Sequence, residues 1–103
     1  MRMTRQSRKA KILSAATSVA TATNYATITR REVAEAVRCT EPLITHYYKS
    51  MGALRLAVLM EAIEDQNHDI IVQAMVNNDP WLDGVSHDIL SSAWAAKGWE
   101  YDK

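Results

Sequence analysis

Residues 29–50 read TRREVAEAVRCTEPLITHYYKS, and this stretch decides the fold. It opens on a capping box: the Thr29 hydroxyl is placed to accept from the Glu32 amide, while the Glu32 carboxylate reaches back to the Thr29 amide. A helix therefore starts at Thr29 and carries Val33, Ala34, Ala36 and Val37. Arg38-Cys39-Thr40 breaks it. Thr40 is the next N-cap, and Pro42 falls in the first turn of a new helix, where its missing N–H costs little. That helix runs from Glu41 to about Tyr48. Ser50 is a third N-cap.

Upstream, Ile12, Ala15, Ala16, Val19, Ala20 and Thr23 recur at helical spacing along one face. Asn24 can close that helix in a left-handed conformation, with Tyr25 and Ile28 packing the connection. Downstream, Leu54, Ala57, Val58, Glu61, Ala62, Ile70, Ile71, Ala74 and Met75 mark a long helix. It either runs unbroken to about Val76 or kinks near Gln66-Asn67-His68. Asn77-Asn78-Asp79-Pro80 ends it by turn chemistry. A last helix is expected from about Val85 to Ala96, with Ile89, Leu90, Ala93 and Trp94 on its apolar side.

The fold class is thus all-α. Glycine and proline are scarce, at three and two, in a chain of 103 residues, enough for one domain with a modest core. Three segments are expected: a basic N-terminal arm (1–8), a three-helix head (9–50), and a long helix with a short C-terminal helix (51–103) that completes the core and offers a dimer interface. Cys39 is the one cysteine, so no internal disulfide forms. No run reaches the roughly 18 apolar residues of a membrane span, and no signal-peptide core follows the basic start. A soluble cytoplasmic protein without membrane attachment is expected.

Net charge is zero, but it is unevenly spread. Residues 1–55 hold ten Lys and Arg against three acids, a net of +7; residues 56–103 hold two against nine, a net of −7. A basic half attracts a polyanion. The bland alternative is a solvated surface with uneven charge. Two short helices joined by a turn of about three residues read as a helix-turn-helix, whose second helix enters the DNA major groove.

The run ILSAATSVATATNYATITRREVAEAVRCTEPLITHYYKSMGALRLAVL resembles the N-terminal domain of the TetR family of bacterial regulators. Asn24-Tyr25 fall at that family's glycine–aromatic position and Thr29 at its threonine. Val33-Ala34-Glu35-Ala36-Val37 fall on the middle of its second helix, Tyr48 on the closing aromatic and Leu54 on the leucine of its fourth helix. The match spans about residues 9–60. Four positions depart from the pattern. Arg38 replaces the turn glycine, so either a positive φ costs a non-glycine residue about 1 kcal/mol or the turn takes another shape. Thr40 replaces the usual serine, Thr45 the recognition-helix tyrosine, and Met51 the phosphate-contacting lysine. The resemblance also implies a ligand-binding domain of well over a hundred residues, whereas about 43 follow position 60. No small-molecule inducer is therefore expected.

For a helix laid in the major groove, the contact candidates are Thr40, Glu41, Pro42, Leu43, Thr45, His46 and Tyr47. Methyl groups of Leu43 or Thr45 suit thymine, His46 suits guanine acceptors and Glu41 the cytosine amino group. Thr29, Arg30, Arg31, Thr40, Tyr47 and Lys49 suit phosphates. Arg2, Arg5 and Arg8 of the arm suit a minor groove or phosphate. Structural readings stand beside these. Ile44 and Tyr48 are core, Tyr47 is equally a packing residue with a wet hydroxyl, Thr29 and Thr40 are caps in any case, Cys39 is a small buried apolar residue, and Arg38 is a phosphate contact or merely exposed.

Enzyme chemistry finds no support. His46, His68 and His87 share no metal-ligand spacing, and no cofactor-binding loop is present. Ser86-His87-Asp88 is consecutive, and helical neighbours point about 100° apart. The acidic face of Glu61, Glu64, Asp65 and Asp69 reads as solvated surface. The expectation is a non-enzymatic, cofactor-free, double-stranded-DNA-binding transcriptional regulator, a repressor and homodimer. The rival is a protein-interaction or DNA-architectural module built on the acidic half with Trp81, Trp94 and Trp99.

Overall fold

The computed structural model describes the backbone of residues 5–98 and the side chains of residues 7–98. All regular structure among them is helical: α1 (Arg5–Ala22), α2 (Arg30–Val37), α3 (Glu41–Tyr47), α4 (Met51–Asp65), α5 (His68–Val76), a 3-10 turn (Pro80–Gly84) and α6 (His87–Ala96). The chain divides into two compact units, Met1–Val58 and Leu59–Lys103, with the boundary inside α4.

In the first unit α1 packs on α2, and α2 on α3. α1 buries Ile12, Ala16 and Ala20, one residue per turn. Its threonines are poor helix formers, and Thr17, Thr21 and Thr23 turn their hydroxyls back to the carbonyls of Leu13, Thr17 and Val19 at 2.8–2.9 Å. Thr23, expected on the apolar face, is exposed: α1 ends at Ala22, so residue 23 lies past the helix. α1 also starts earlier than expected. Arg5 and Arg8 lie in its first turns rather than on a free arm, since no glycine or proline interrupts residues 5–12. Arg2 lies outside the described residues, as does the Arg5 side chain.

Asn24 does not close α1 in the left-handed region; among the described residues the non-glycine residues with positive φ are Arg38, Gln66 and Asn78. It forms a turn instead, its Oδ1 accepting from the Ala26 amide at 2.9 Å and its carbonyl from the Thr27 amide at 3.1 Å. Tyr25 and Ile28 are buried behind that turn, as expected.

In the second unit α5 packs on α6, and Ile71, Val72 and Ala93 form a core joined by Ile63, Met75, Ile89, Leu90 and Trp94. The long downstream helix is broken: α4 ends at Asp65, Gln66 turns left-handed (φ 54°), and Asn67 caps α5 by accepting from the Ile70 amide at 3.4 Å. Ser86 caps the last helix, so α6 starts at His87, and the Pro80–Gly84 turn fills the space before it. Trp99 lies outside the described residues. No helix among the described residues is long and apolar enough to cross a membrane.

Candidate functional site

The candidate site is the α2–turn–α3 segment and the basic residues around it. α2 begins with the capping box: the Glu32 amide donates to Thr29 Oγ1 at 3.2 Å, and the Thr29 amide donates to Glu32 Oε1 at 2.9 Å. Thr29 Oγ1 donates to the same carboxylate at 3.0 Å. Thr29 and Glu32 therefore hold one another, although Glu32 stays exposed.

Arg38 keeps the backbone that glycine would have there. It is left-handed, φ 62° and ψ 49°. The Cys39 amide reaches the Ala34 carbonyl at 3.0 Å and the Arg38 amide the Glu35 carbonyl at 3.3 Å. This pair of bonds is the Schellman closure of a helix, which normally places glycine where Arg38 stands. The chain keeps the tight three-residue turn and presents a long cationic side chain from it.

Thr40 has the extended backbone of an N-cap (φ −94°, ψ 156°), but its side chain makes no cap hydrogen bond, contrary to expectation. Pro42 at the start of α3 already removes one donor from that turn. Cys39 is not buried as expected, because the turn carries it toward the surface; what burial it has pushes its thiol pKa up. Its Sγ sits 3.5 Å from the Thr40 carbonyl.

α3 ends at Tyr47, one residue short of the expected end, with Tyr48 extended after it. The helix has two faces. Ile44 and Tyr48 are buried, as expected. Thr40, Glu41, Pro42, Thr45, His46 and Lys49 are exposed. Thr45 turns its hydroxyl toward the Glu41 carbonyl at 3.4 Å. Tyr47 is half-buried, its ring edge-on to His46 with centroids 5.0 Å apart. Leu43 is half-buried too, lining a depression of about 150 Å³ with Arg8, Lys11, Ile12, Val37 and Cys39.

The basic residues fall into two groups. Arg8, Lys9 and Lys11 are exposed near the start of α1, and Lys9 Nζ lies 5.1 Å from the centre of the Tyr48 ring, joining that end of α1 to the end of α3. Arg30, Arg31, Arg38 and Lys49 belong to the α2–α3 segment. Arg31 pairs with Glu35 at 3.3 Å across one turn of α2, a solvent-exposed pair that holds either partner only weakly. Arg30 is half-buried, and its buried Nε has no hydrogen-bond partner.

Sequence reasoning missed Arg55. From α4 its Nη2 and Nε donate to the Ile28 carbonyl at 2.7 and 3.3 Å. That carbonyl lies one residue before the Thr29 cap, so Arg55 pins the point where α2 begins. The only available signal was a lone cation inside the apolar run LRLAVLM. Among the described residues, no three His, Cys, Asp or Glu side chains gather in a way that could hold a metal ion. Comparison with protein-family models, curated proteins and solved structures gives no match.

Proposed function

We propose that the first unit binds double-stranded DNA as a helix-turn-helix, with α3 in the major groove, and that the protein is a cytoplasmic transcriptional regulator that represses by occupying a promoter. One observation carries the reading. A short helix held by Ile44 and Tyr48 leaves Thr40, Glu41, Thr45, His46 and Lys49 exposed, in the half of the chain whose net charge is +7. A solvent-facing helix is polar on its outer side in any case; the surrounding charge of +7 is what favours a polyanion here. A groove-bound helix needs polar groups there for base edges and cations beside them for phosphates.

His46 and Glu41 are the base-reading candidates. Thr45, its hydroxyl turned back to its own helix, offers its methyl group to thymine. Arg30, Arg31, Arg38 and Lys49, with Arg8, Lys9 and Lys11, supply phosphate contacts. Thr29 and Arg55 fix where α2 starts and so hold the segment in register. The TetR-like motif order supports the same reading. A homodimer accords with the small reach of one such unit: two linked copies gain affinity and read a two-fold site.

The test is binding to a random-sequence duplex by fluorescence anisotropy over a series of salt concentrations. The logarithm of affinity should fall linearly with the logarithm of salt, and Lys49→Gln should reduce the slope by about one phosphate contact. Salt-independent binding, or none at low salt, would refute the reading.

A further inference from the structure

The second unit carries a surface that DNA binding does not use. Among described residues 59–98 there are seven acidic side chains against Lys97 alone, and Lys97 is paired with Asp69. On this acidic unit the end of α5 and the turn after it leave apolar groups uncovered: Val76 is 61 % exposed and Trp81 56 %. A cleft of about 440 Å³ opens there, lined by Met75, Leu82, Leu90 and Trp94 together with Asp79 and Asp83. A second depression of about 380 Å³, walled by Pro80, Trp81 and Gly84, lies on the same 3-10 turn.

Turn chemistry accounts for the turn but not for its tryptophan. Asp79 Oδ1 accepts from the Trp81 amide at 2.9 Å and so starts the 3-10 helix. That bond needs the backbone of residue 81 and not an indole. A large aromatic held out to water beside an apolar cleft is the composition of an interface anchor.

Charge decides what fits. DNA and anionic lipid surfaces are repelled by this unit. A second copy of the chain meeting it by two-fold symmetry would bring this acidic face against the same acidic face of its partner, and like-charged faces oppose association. A cationic partner with apolar anchors is attracted on both counts. We propose that this face docks a basic amphipathic helix of a partner protein, its apolar side chains entering the cleft and packing on Trp81, its Lys or Arg meeting Asp79 and Asp83. Both depressions border the Pro80–Gly84 turn, and an amphipathic helix docks by setting its apolar side chains into such apolar hollows.

The probe is a synthetic leucine–lysine amphipathic helix titrated onto the full chain, with a leucine–glutamate helix of the same pattern as control. Binding is read by chemical-shift changes at residues 75–94. The lysine helix should bind and the glutamate helix should not. Asp83→Lys and Trp81→Ser, both at exposed positions, should each weaken binding about tenfold while leaving the circular dichroism spectrum unchanged. Equal binding of the two helices, binding indifferent to both substitutions, or no binding at all would overturn the proposal. So would a concentration-dependent dimer that Trp81→Ser dissociates, because the occupant would then be a second copy.

Discussion

The first unit closes α2 with Arg38 in the left-handed region, and the second closes α4 and α5 in the same way with Gln66 and Asn78. The bonding is alike in all three. The Cys39, Asn67 and Asp79 amides reach back five residues to the Ala34, Ala62 and Ala74 carbonyls at 3.0, 2.8 and 3.0 Å. The two units differ in how the chain continues past the closure. In the second unit the next residue caps the next helix with its own side chain, Asn67 to the Ile70 amide and Asp79 to the Trp81 amide. In the first unit the next helix starts with Thr40, whose hydroxyl makes no such bond, and the left-handed residue itself is an arginine. The turns of the second unit satisfy themselves. The turn of the first places a cation at a strained position, which under the proposed DNA reading meets a phosphate.

The comparison can be broken or sharpened by substitution. The largest effect should come from the cores. Ile44→Ala and Ile71→Ala each remove a fully buried side chain and should cost about 2–5 kcal/mol in urea unfolding. A cost well below that at Ile44 would mean that α3 is not held by its inner face. Next is Arg55→Ala, which leaves the Ile28 carbonyl without its two donors and should cost about 1–3 kcal/mol. Amide exchange at the start of α2 should rise with it, and unchanged exchange there would remove Arg55 from its pinning role. Thr29→Ala breaks the capping box and should cost about 1 kcal/mol.

The smallest effects test the turns themselves and run in the stabilising direction. Glycine at Arg38 or Gln66 relieves a left-handed side chain, and the greater freedom it gives the unfolded chain offsets part of the gain, leaving below about 1 kcal/mol. Asn78→Gly should gain least, because asparagine already tolerates that conformation. Arg38→Gly should also weaken DNA binding while it stabilises the fold. Gln66→Gly should stabilise without touching DNA affinity, so the pair separates a cost borne for function from one borne by chance.

What could be read from the sequence was local. The Thr29–Glu32 box, Pro42 at the start of α3, the Ser50 cap and the buried Ile44 and Tyr48 depend on residues within one or two turns of each other, and each stands as expected. The break after Asp65 could not be decided, because Gln66 carries none of the signals of a left-handed residue. Asn24 misled for the opposite reason: asparagine suits both a left-handed cap and a side-chain turn, and the neighbouring amides chose the second. The link from Arg55 to Ile28 spans 27 positions and joins a side chain to a backbone atom, so it leaves no periodic trace. The candidate contact residues were legible as a list. The division of α3 into a buried and an exposed face came from its period, while the half-burial of Leu43 against the Arg8–Lys11 depression depends on how α1 packs.

The most direct test of the central claim is selection of bound sequences from a randomised duplex pool, then binding of the enriched sequence at two salt concentrations. A two-fold-symmetric site that binds tighter than random DNA and weakens steeply with salt is the predicted result. A pool that enriches nothing, or a protein that retains no duplex even at low salt, would contradict it.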